Sequence, residues 1–77
     1  IYRIDIEPGA EYISGGHGEK TREYLAVMDG EVTVECRGEQ HVVGKSQVFR
    51  FETDQMHIYR NATSDKASFM CFFVAMR

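Results

Sequence analysis

The sequence predicts an all-β protein made of two antiparallel sheets, which together form a sandwich or a small barrel. Apolar and polar residues alternate along several short segments, including residues 2–6 and 32–36, and this period of two is typical of strands with one buried face. Turn residues separate the segments at short intervals, and no segment shows convincing helical periodicity. We therefore expect about eight short strands with tight connections.

The turns define the order of the predicted strands. The first strand ends at Pro8, and Asp29-Gly30 is a strong hairpin signal, which predicts that residues 25–27 pair with residues 32–34. Further turn signals follow at regular intervals, and the segments that they separate are residues 41–43, 48–51, 57–59 and 67–76.

The last predicted strand, residues 67–76, is apolar on both faces. An antiparallel sandwich normally leaves one face of each strand in water, so this strand needs a cover on its outer side. A domain of 77 residues also has a small core, because it buries only about 60% of the surface that its unfolded chain exposes. We expect a second subunit or a neighbouring domain to supply the cover, and we predict a homodimer.

Charge and hydropathy exclude two classes of function. The chain carries 12 acidic and 9 basic residues, a formal net charge of −3, whereas a domain that binds DNA or RNA directly normally has a basic patch. The longest apolar run, residues 69–76, is far shorter than the roughly 20 residues of a membrane span. We expect one domain over residues 1–77, and the start at Ile1 rather than Met predicts that it is cut from a longer chain. The spacing of Cys36 and Cys71 fits neither a disulfide framework nor a metal site, so we expect reduced thiols and a cytoplasmic protein.

Two of the histidines combine with a carboxylate into a candidate metal site. His17 lies in a glycine-rich approach to the strand that Glu23 begins, and His57 opens another strand. His41 is out of phase with any other ligand type and is predicted to lie on the surface. Two neutral imidazoles and one carboxylate can bind iron(II), zinc, manganese or nickel, and the sequence does not choose among them.

Alternation along the strands also predicts a ligand pocket. If Glu23 and His57 point inward, every second residue along the same strands points inward too. The result is a concave apolar lining with a few polar groups at one end, which is the usual form of a small-molecule site. The predicted lining consists of Leu25, Val27, Val34, Phe49, Phe51, Tyr59 and Asn61.

These motifs resemble those of the cupin superfamily. Residues 17–30 follow the first cupin motif in the form H-x-E-x3-E-x6-G, with Glu19 where a second histidine usually stands, and residues 57–61 have the H-x3-N spacing that ends the second motif. The resemblance implies a double-stranded β-helix, also called a jelly roll. It also implies a divalent metal held by His17, Glu23 and His57, with Glu19 as a candidate fourth ligand.

The sequence is most similar to one subgroup, the small cupin domain that follows a helix-turn-helix domain in XRE-type bacterial transcription regulators. The similarity rests on residues 21–24, 28–31, 48–51 and 57–61. It implies a domain that binds a small-molecule effector and controls DNA binding by an N-terminal domain outside these residues. Two alternatives stay open: a small metal-dependent cupin enzyme, such as an oxygenase, isomerase or lyase, and a purely structural cupin without a ligand.

Overall fold

The computed structural model describes residues 2–15, 21–53 and 55–75. Eight strands run through these ranges and none of their residues is helical, which confirms the predicted all-β class. Across the same ranges, no helix is long and apolar enough to cross a membrane. Residue 76, the predicted end of the last strand, lies outside the described residues. The strands are β1 (Tyr2–Ile6), β2 (Glu11–Ser14), β3 (Thr21–Asp29), β4 (Glu31–Cys36), β5 (Glu39–Gly44), β6 (Val48–Glu52), β7 (His57–Arg60) and β8 (Ala67–Ala75).

The strands form two four-stranded sheets in which every recorded pairing is antiparallel. The order in the first sheet is β1-β8-β3-β6, and the order in the second is β2-β7-β4-β5. The chain therefore passes from one sheet to the other at almost every connection. This crossing topology is the double-stranded β-helix that the sequence motifs predict.

The turn at Asp29-Gly30 changes sheets, so the predicted hairpin at this position is wrong. β3 pairs with β6 and β8, whereas β4 pairs with β5 and β7. Gly30 has a φ of +77°, and a Cβ atom at this position would lie 2.9 Å from both the Cα of Ala67 and the carbonyl oxygen of Lys66. The glycine is required because the turn passes directly against the start of β8.

A two-residue hairpin instead connects β4 to β5. Cys36 pairs with Glu39, so the loop consists of Arg37 and Gly38, whose φ angles are 53° and 76°. Positive φ at both central residues is the geometry of a type I′ turn, which matches the twist of the flanking strands. Nη2 of Arg37 also lies 3.3 Å from Oε2 of Glu52, and this contact ties the hairpin to β6 of the other sheet.

The inner faces of the two sheets share one hydrophobic core. Alternation along β3 and β8 brings inward side chains such as Leu25 and Phe69, both fully buried, against the opposite sheet. Cys71 is buried and Cys36 is half-buried, and both thiols are free. The core cluster consists of Ile6, Leu25, Val27, Val32, Val34, Val43, Phe51, Tyr59, Ala67, Phe69 and Cys71.

The outer side of β8 is apolar, as the sequence indicates. This strand lies inside its sheet, between β1 and β3. Its inward residues join the core, while Phe72 and Val74 point outward and are 40% and 47% exposed. The uncovered apolar surface is therefore the face of a sheet and not its edge.

Candidate metal and ligand site

Glu23 and His57 meet inside the barrel, one from each sheet. Glu23 lies on β3, and His57 is the first residue of β7. Both side chains are completely buried, and Oε1 of Glu23 lies 3.6 Å from Nε2 of His57. The structure thus brings two of the sequence-predicted ligands together in an otherwise apolar interior.

The orientation of His57 is fixed by the backbone just before β7. Its Nδ1 lies 3.0 Å from the carbonyl oxygen of Gln55. Because a carbonyl oxygen only accepts hydrogen bonds, Nδ1 must carry the proton. In the neutral ring, Nε2 then presents its lone pair on the side of Glu23. Phe51 and Tyr59 hold the ring edge-on, with centroids 5.2 Å from that of the imidazole in each case.

The two carboxylate oxygens of Glu23 have different surroundings among the described residues. The hydroxyl of Tyr59 donates to Oε2 at 2.5 Å. Within the described part of the chain, no donor reaches Oε1, although this atom is buried. Burial raises the pKa of Glu23 to about 7, and the hydrogen bond from Tyr59 opposes that shift. The pKa of Tyr59 is itself raised, mainly by burial and then by the neighbouring carboxylate.

A cleft of about 610 Å³ opens beside this pair, between the edge strands β1 and β2. We call it the tyrosine cleft, and its main lining residues are Tyr2, Ile4, Tyr12, Tyr59, Cys71 and Phe73. Arg3, Asp5 and Ser14 also border it. Tyr59 is shared by the cleft and the buried pair, because it borders the cleft and its hydroxyl bonds Glu23.

The family of the chain follows from a match over nearly its whole length. The family model of the cupin domain matches residues 2–73. The chain belongs to the cupin family. Among curated proteins, none matches the sequence.

Solved structures agree with the assignment of this chain to the cupin family. A cupin domain of an XRE-family transcriptional regulator from Enterobacter cloacae is 31% identical, with a TM-score of 0.90 over 97% of this chain and 79% of that chain. An HTH_3-family transcriptional regulator from Vibrio cholerae is 28% identical, with a TM-score of 0.83 over 97% of this chain and 41% of that chain. A predicted oxalate decarboxylase from Thermotoga maritima is 16% identical, with a TM-score of 0.79 over 96% of this chain and 64% of that chain, and it shows the fold alone.

The two buried side chains of the cupin fit a divalent metal as two of its ligands. An imidazole nitrogen and a carboxylate oxygen are donors that zinc, iron and manganese accept. Two donors that each lie about 2.1 Å from one ion are roughly 3–4 Å apart, and the distance of 3.6 Å between Oε1 and Nε2 falls in this range. In the ranges that the structure describes, no group of three His, Cys, Asp or Glu side chains surrounds one point. His17 and Glu19, the other two predicted ligands, lie outside the described residues.

Most of the predicted pocket lining belongs to the packed interior of the cupin. Leu25, Val27, Val34 and Phe51 are buried members of the core. Phe49 is half-buried and packs against the core, with its ring beside those of Phe51 and the partly exposed His41. Of the predicted lining, only Tyr59 borders the tyrosine cleft. The alternation of Tyr2 with Arg3 could have indicated that Tyr2 faces inward toward a pocket. No local pattern indicates that β1 and β2 border the same cleft.

Asn61 is placed by the turn that follows β7. Its amide nitrogen donates to the carbonyl oxygens of Ile6 and Asp65 at 3.0 and 2.7 Å. Its amide oxygen accepts from the backbone nitrogen and the hydroxyl of Thr63 at 3.0 and 2.7 Å. These four bonds use the full capacity of the amide, and they join the turn to the end of β1.

Proposed function

We propose that this cupin is the metal- and effector-binding domain of a helix-turn-helix transcription regulator, and that its ligand state controls DNA binding by a separate domain. The similarity to regulators from Enterobacter cloacae and Vibrio cholerae supports this role. The chain spans 41% of the Vibrio cholerae regulator, so a protein of that size has room for a DNA-binding domain. The net charge of −3 also favours DNA contact through another domain. A regulator of this type would act in the cytoplasm.

The buried pair of Glu23 and His57 is the observation that carries the proposal. A carboxyl group without a full set of hydrogen bonds is costly in an apolar interior. A 77-residue domain has little stability to spare for such a group. A bound metal would offset this cost by coordinating Oε1 of Glu23, and Nε2 of His57 lies close enough to serve as a second ligand.

In the proposed regulator, His17, Glu23 and His57 would hold the metal, and Glu19 is a candidate fourth ligand. The metal would supply an open coordination position for a polar atom of the effector. The chain's own residues set the geometry, because Gln55 orients His57 and Tyr59 orients Glu23. To transmit a signal, the effector must bind one conformation of the regulator more tightly than the other.

Elemental analysis of the purified protein tests this proposal. We expect about one equivalent of zinc, iron, manganese or nickel after reconstitution, and its loss in His57→Ala. His41→Ala is the matched control, because His41 lies partly exposed on β5 and should leave the metal content unchanged. A wild-type protein that takes up none of the four metals would contradict the metal site.

The proposed regulator is a homodimer that joins through the outer face of the β1-β8-β3-β6 sheet. The strands β3 and β8 each have nine residues, while β1 and β6 have five each, so the face measures about 30 Å along its two central strands, about 17 Å along its outer strands and about 19 Å across. Its projected area is roughly 450 Å², about half of the roughly 800 Å² that each partner contributes to a standard interface before side-chain relief and flanking loops are counted. Exposed apolar side chains at its centre and edge include Phe72, Val74 and Val48.

The relief of this face fits a second copy of the same chain. The rings of Tyr24 and Phe72 stack with centroids 5.1 Å apart and form a ridge. Two residues further along the strands, Ala26 pairs with Met70 on one side and with Val48 on the other, and we infer that its small side chain leaves a notch between these larger neighbours. A two-fold axis perpendicular to the strands would place each aromatic ridge over the notch of the partner copy.

A further inference from the structure

We propose that the tyrosine cleft binds a small, uncharged molecule with a planar aromatic ring that carries a hydroxyl group. This inference rests on the proposed function, because it names the chemical class of the effector. The inference is based on the residues that line the cleft, whose proximity to one another was not predicted from the sequence.

The walls of the cleft are aromatic on both sides. Tyr2 and Phe73 come from the first sheet and pack edge to face, with centroids 5.9 Å apart. Tyr12 and Tyr59 come from the second sheet and pack at a tilt of 45°, with centroids 6.0 Å apart. A planar ring between the two pairs would contact aromatic surface from both sheets in the edge-on and offset arrangements that aromatic groups prefer.

The exposure and size of the cleft suit a ligand of this kind. Tyr2 and Tyr12 are 60% and 50% exposed, so both rings keep apolar surface that a ligand would remove from water. The volume of about 610 Å³ lies within the roughly 300–1,000 Å³ of typical small-molecule sites.

The polar groups of the cleft indicate an uncharged ligand with its polar end directed inward. Arg3 and Asp5 border the cleft, but Nε of Arg3 lies 3.4 Å from Oδ1 of Asp5, so their charges offset each other. Ser14 is the remaining polar side chain of the lining without a charge or a ring. It pairs with His57 across β2 and β7. A hydroxyl group on the ligand would therefore lie toward the candidate metal site while its ring lies between the tyrosines.

Contact with Tyr59 would connect the cleft to the buried pair. The same side chain forms part of the aromatic wall and holds Oε2 of Glu23 through its hydroxyl. Tyr59 is only 2% exposed, so the ligand ring would pack mainly on Tyr12, whose ring contacts that of Tyr59, and Tyr59 in turn bonds Glu23. This shared residue gives the effector a direct physical route to the metal ligands.

A titration of the 77-residue protein with phenol, followed by NMR of the aromatic side chains, tests the inference. We expect saturable shifts of the Tyr2, Tyr12 and Phe73 ring signals, and tighter binding of phenol than of cyclohexanol. Tyr2→Ala should weaken phenol binding at least tenfold, and it should still fold because Tyr2 is exposed. Val42→Ala is the matched control, since Val42 is 61% exposed, as Tyr2 is at 60%, but lies on β5 outside the cleft.

The outcomes separate this inference from the proposed function. Shifts that do not saturate, equal binding of phenol and cyclohexanol, or equal binding by Tyr2→Ala and Val42→Ala would overturn the aromatic site. Metal content is measured in the same samples. Phenol binding without metal uptake would contradict the metal site but support the aromatic site in the cleft. Metal uptake without phenol binding would support the metal site but contradict the aromatic site.

Discussion

The hydroxyl of Tyr59 donates a 2.5 Å hydrogen bond to Oε2 of Glu23, across the interior from β7 of one sheet to β3 of the other. This bond holds the carboxyl group with its second oxygen 3.6 Å from Nε2 of His57. The two residues are 36 positions apart in the chain, so the bond exists only because the two sheets pack face to face.

Removal of this donor should weaken both the fold and the metal site. In Tyr59→Phe, the buried carboxylate loses its hydrogen bond, and we expect the free energy of unfolding at pH 8 to fall by about 1–3 kcal/mol. Metal affinity should fall about tenfold or more, because an orienting partner of a ligand is lost. Urea denaturation and competitive metal titration measure the two effects. Tyr12→Phe is the control, since Tyr12 is half-exposed, and an equal loss in both variants would contradict the role of Tyr59.

The metal-free protein should lose stability as the pH rises from about 4.5 to about 7. The pKa of Glu23 is raised from 4.5 to about 7 in the folded state, so the folded protein binds more protons than the unfolded chain in this window. Since each pKa unit corresponds to about 1.4 kcal/mol, the contribution of Glu23 is at most about 3.5 kcal/mol. It is present in full below pH 4.5 and is lost by about pH 7.

Glu23→Gln is the variant that isolates this effect, because its amide does not titrate. Urea denaturation at several pH values should show a smaller fall in stability for Glu23→Gln than for the wild type. The same dependence of unfolding free energy on pH in both proteins would show that the carboxyl group of Glu23 does not cause the loss of stability.

A charge on the outer face of the first sheet should separate the proposed dimer. Phe72→Glu places a carboxylate in the ridge, where burial against a second copy would desolvate it. We expect a dimer for the wild type and a monomer for Phe72→Glu by analytical ultracentrifugation. Val42→Glu is the control, because Val42 is 61% exposed on the other sheet. A monomeric wild type, or a dimer in both variants, would exclude this interface.

Alanine substitutions at two glycines should separate backbone strain from steric contact. Gly30 and Gly9 have φ angles of +77° and +76°, so a side chain costs about 1–2 kcal/mol of conformational energy at either position. A Cβ at Gly30 would also clash with the backbone at Lys66 and Ala67, whereas nothing lies within 4 Å at Gly9. Urea denaturation should therefore show that Gly30→Ala is less stable than Gly9→Ala by at least about 1 kcal/mol. Equal losses of unfolding free energy in the two variants would mean that β8 can move away from the added Cβ at little energetic cost.

Local sequence patterns were sufficient for most of the strands, although β2 was not among the predicted segments, and for the alternation that places Glu23 on the same face as its apolar neighbours. The alternation that buries Leu25 and Val27 also buries Glu23, because successive side chains of a strand point to opposite faces. The same rule directs His57 and Tyr59 inward from β7. These predictions needed only the geometry of a single strand.

Sequence patterns failed where the outcome depended on strand pairing. Asp29-Gly30 has the composition of a hairpin turn, yet the strands on either side of it enter different sheets. Asn61, which was predicted to line the pocket, bonds through its amide to the turn after β7 and to the end of β1, and these partners depend on how the strands pack. A turn motif specifies a local backbone shape, and it contains no information about which strand will lie alongside.

The sequence by itself determined the all-β class, the approximate number of strands and which side chains share a face along the alternating strands. The tertiary structure decided that Tyr2 and Phe73 face Tyr12 and Tyr59 across one cleft, and that Glu23 meets His57. The physical reason is the range of the interactions involved. Alternation follows from the backbone of one strand, whereas the partners of an edge strand are selected by the burial of apolar surface over the whole domain.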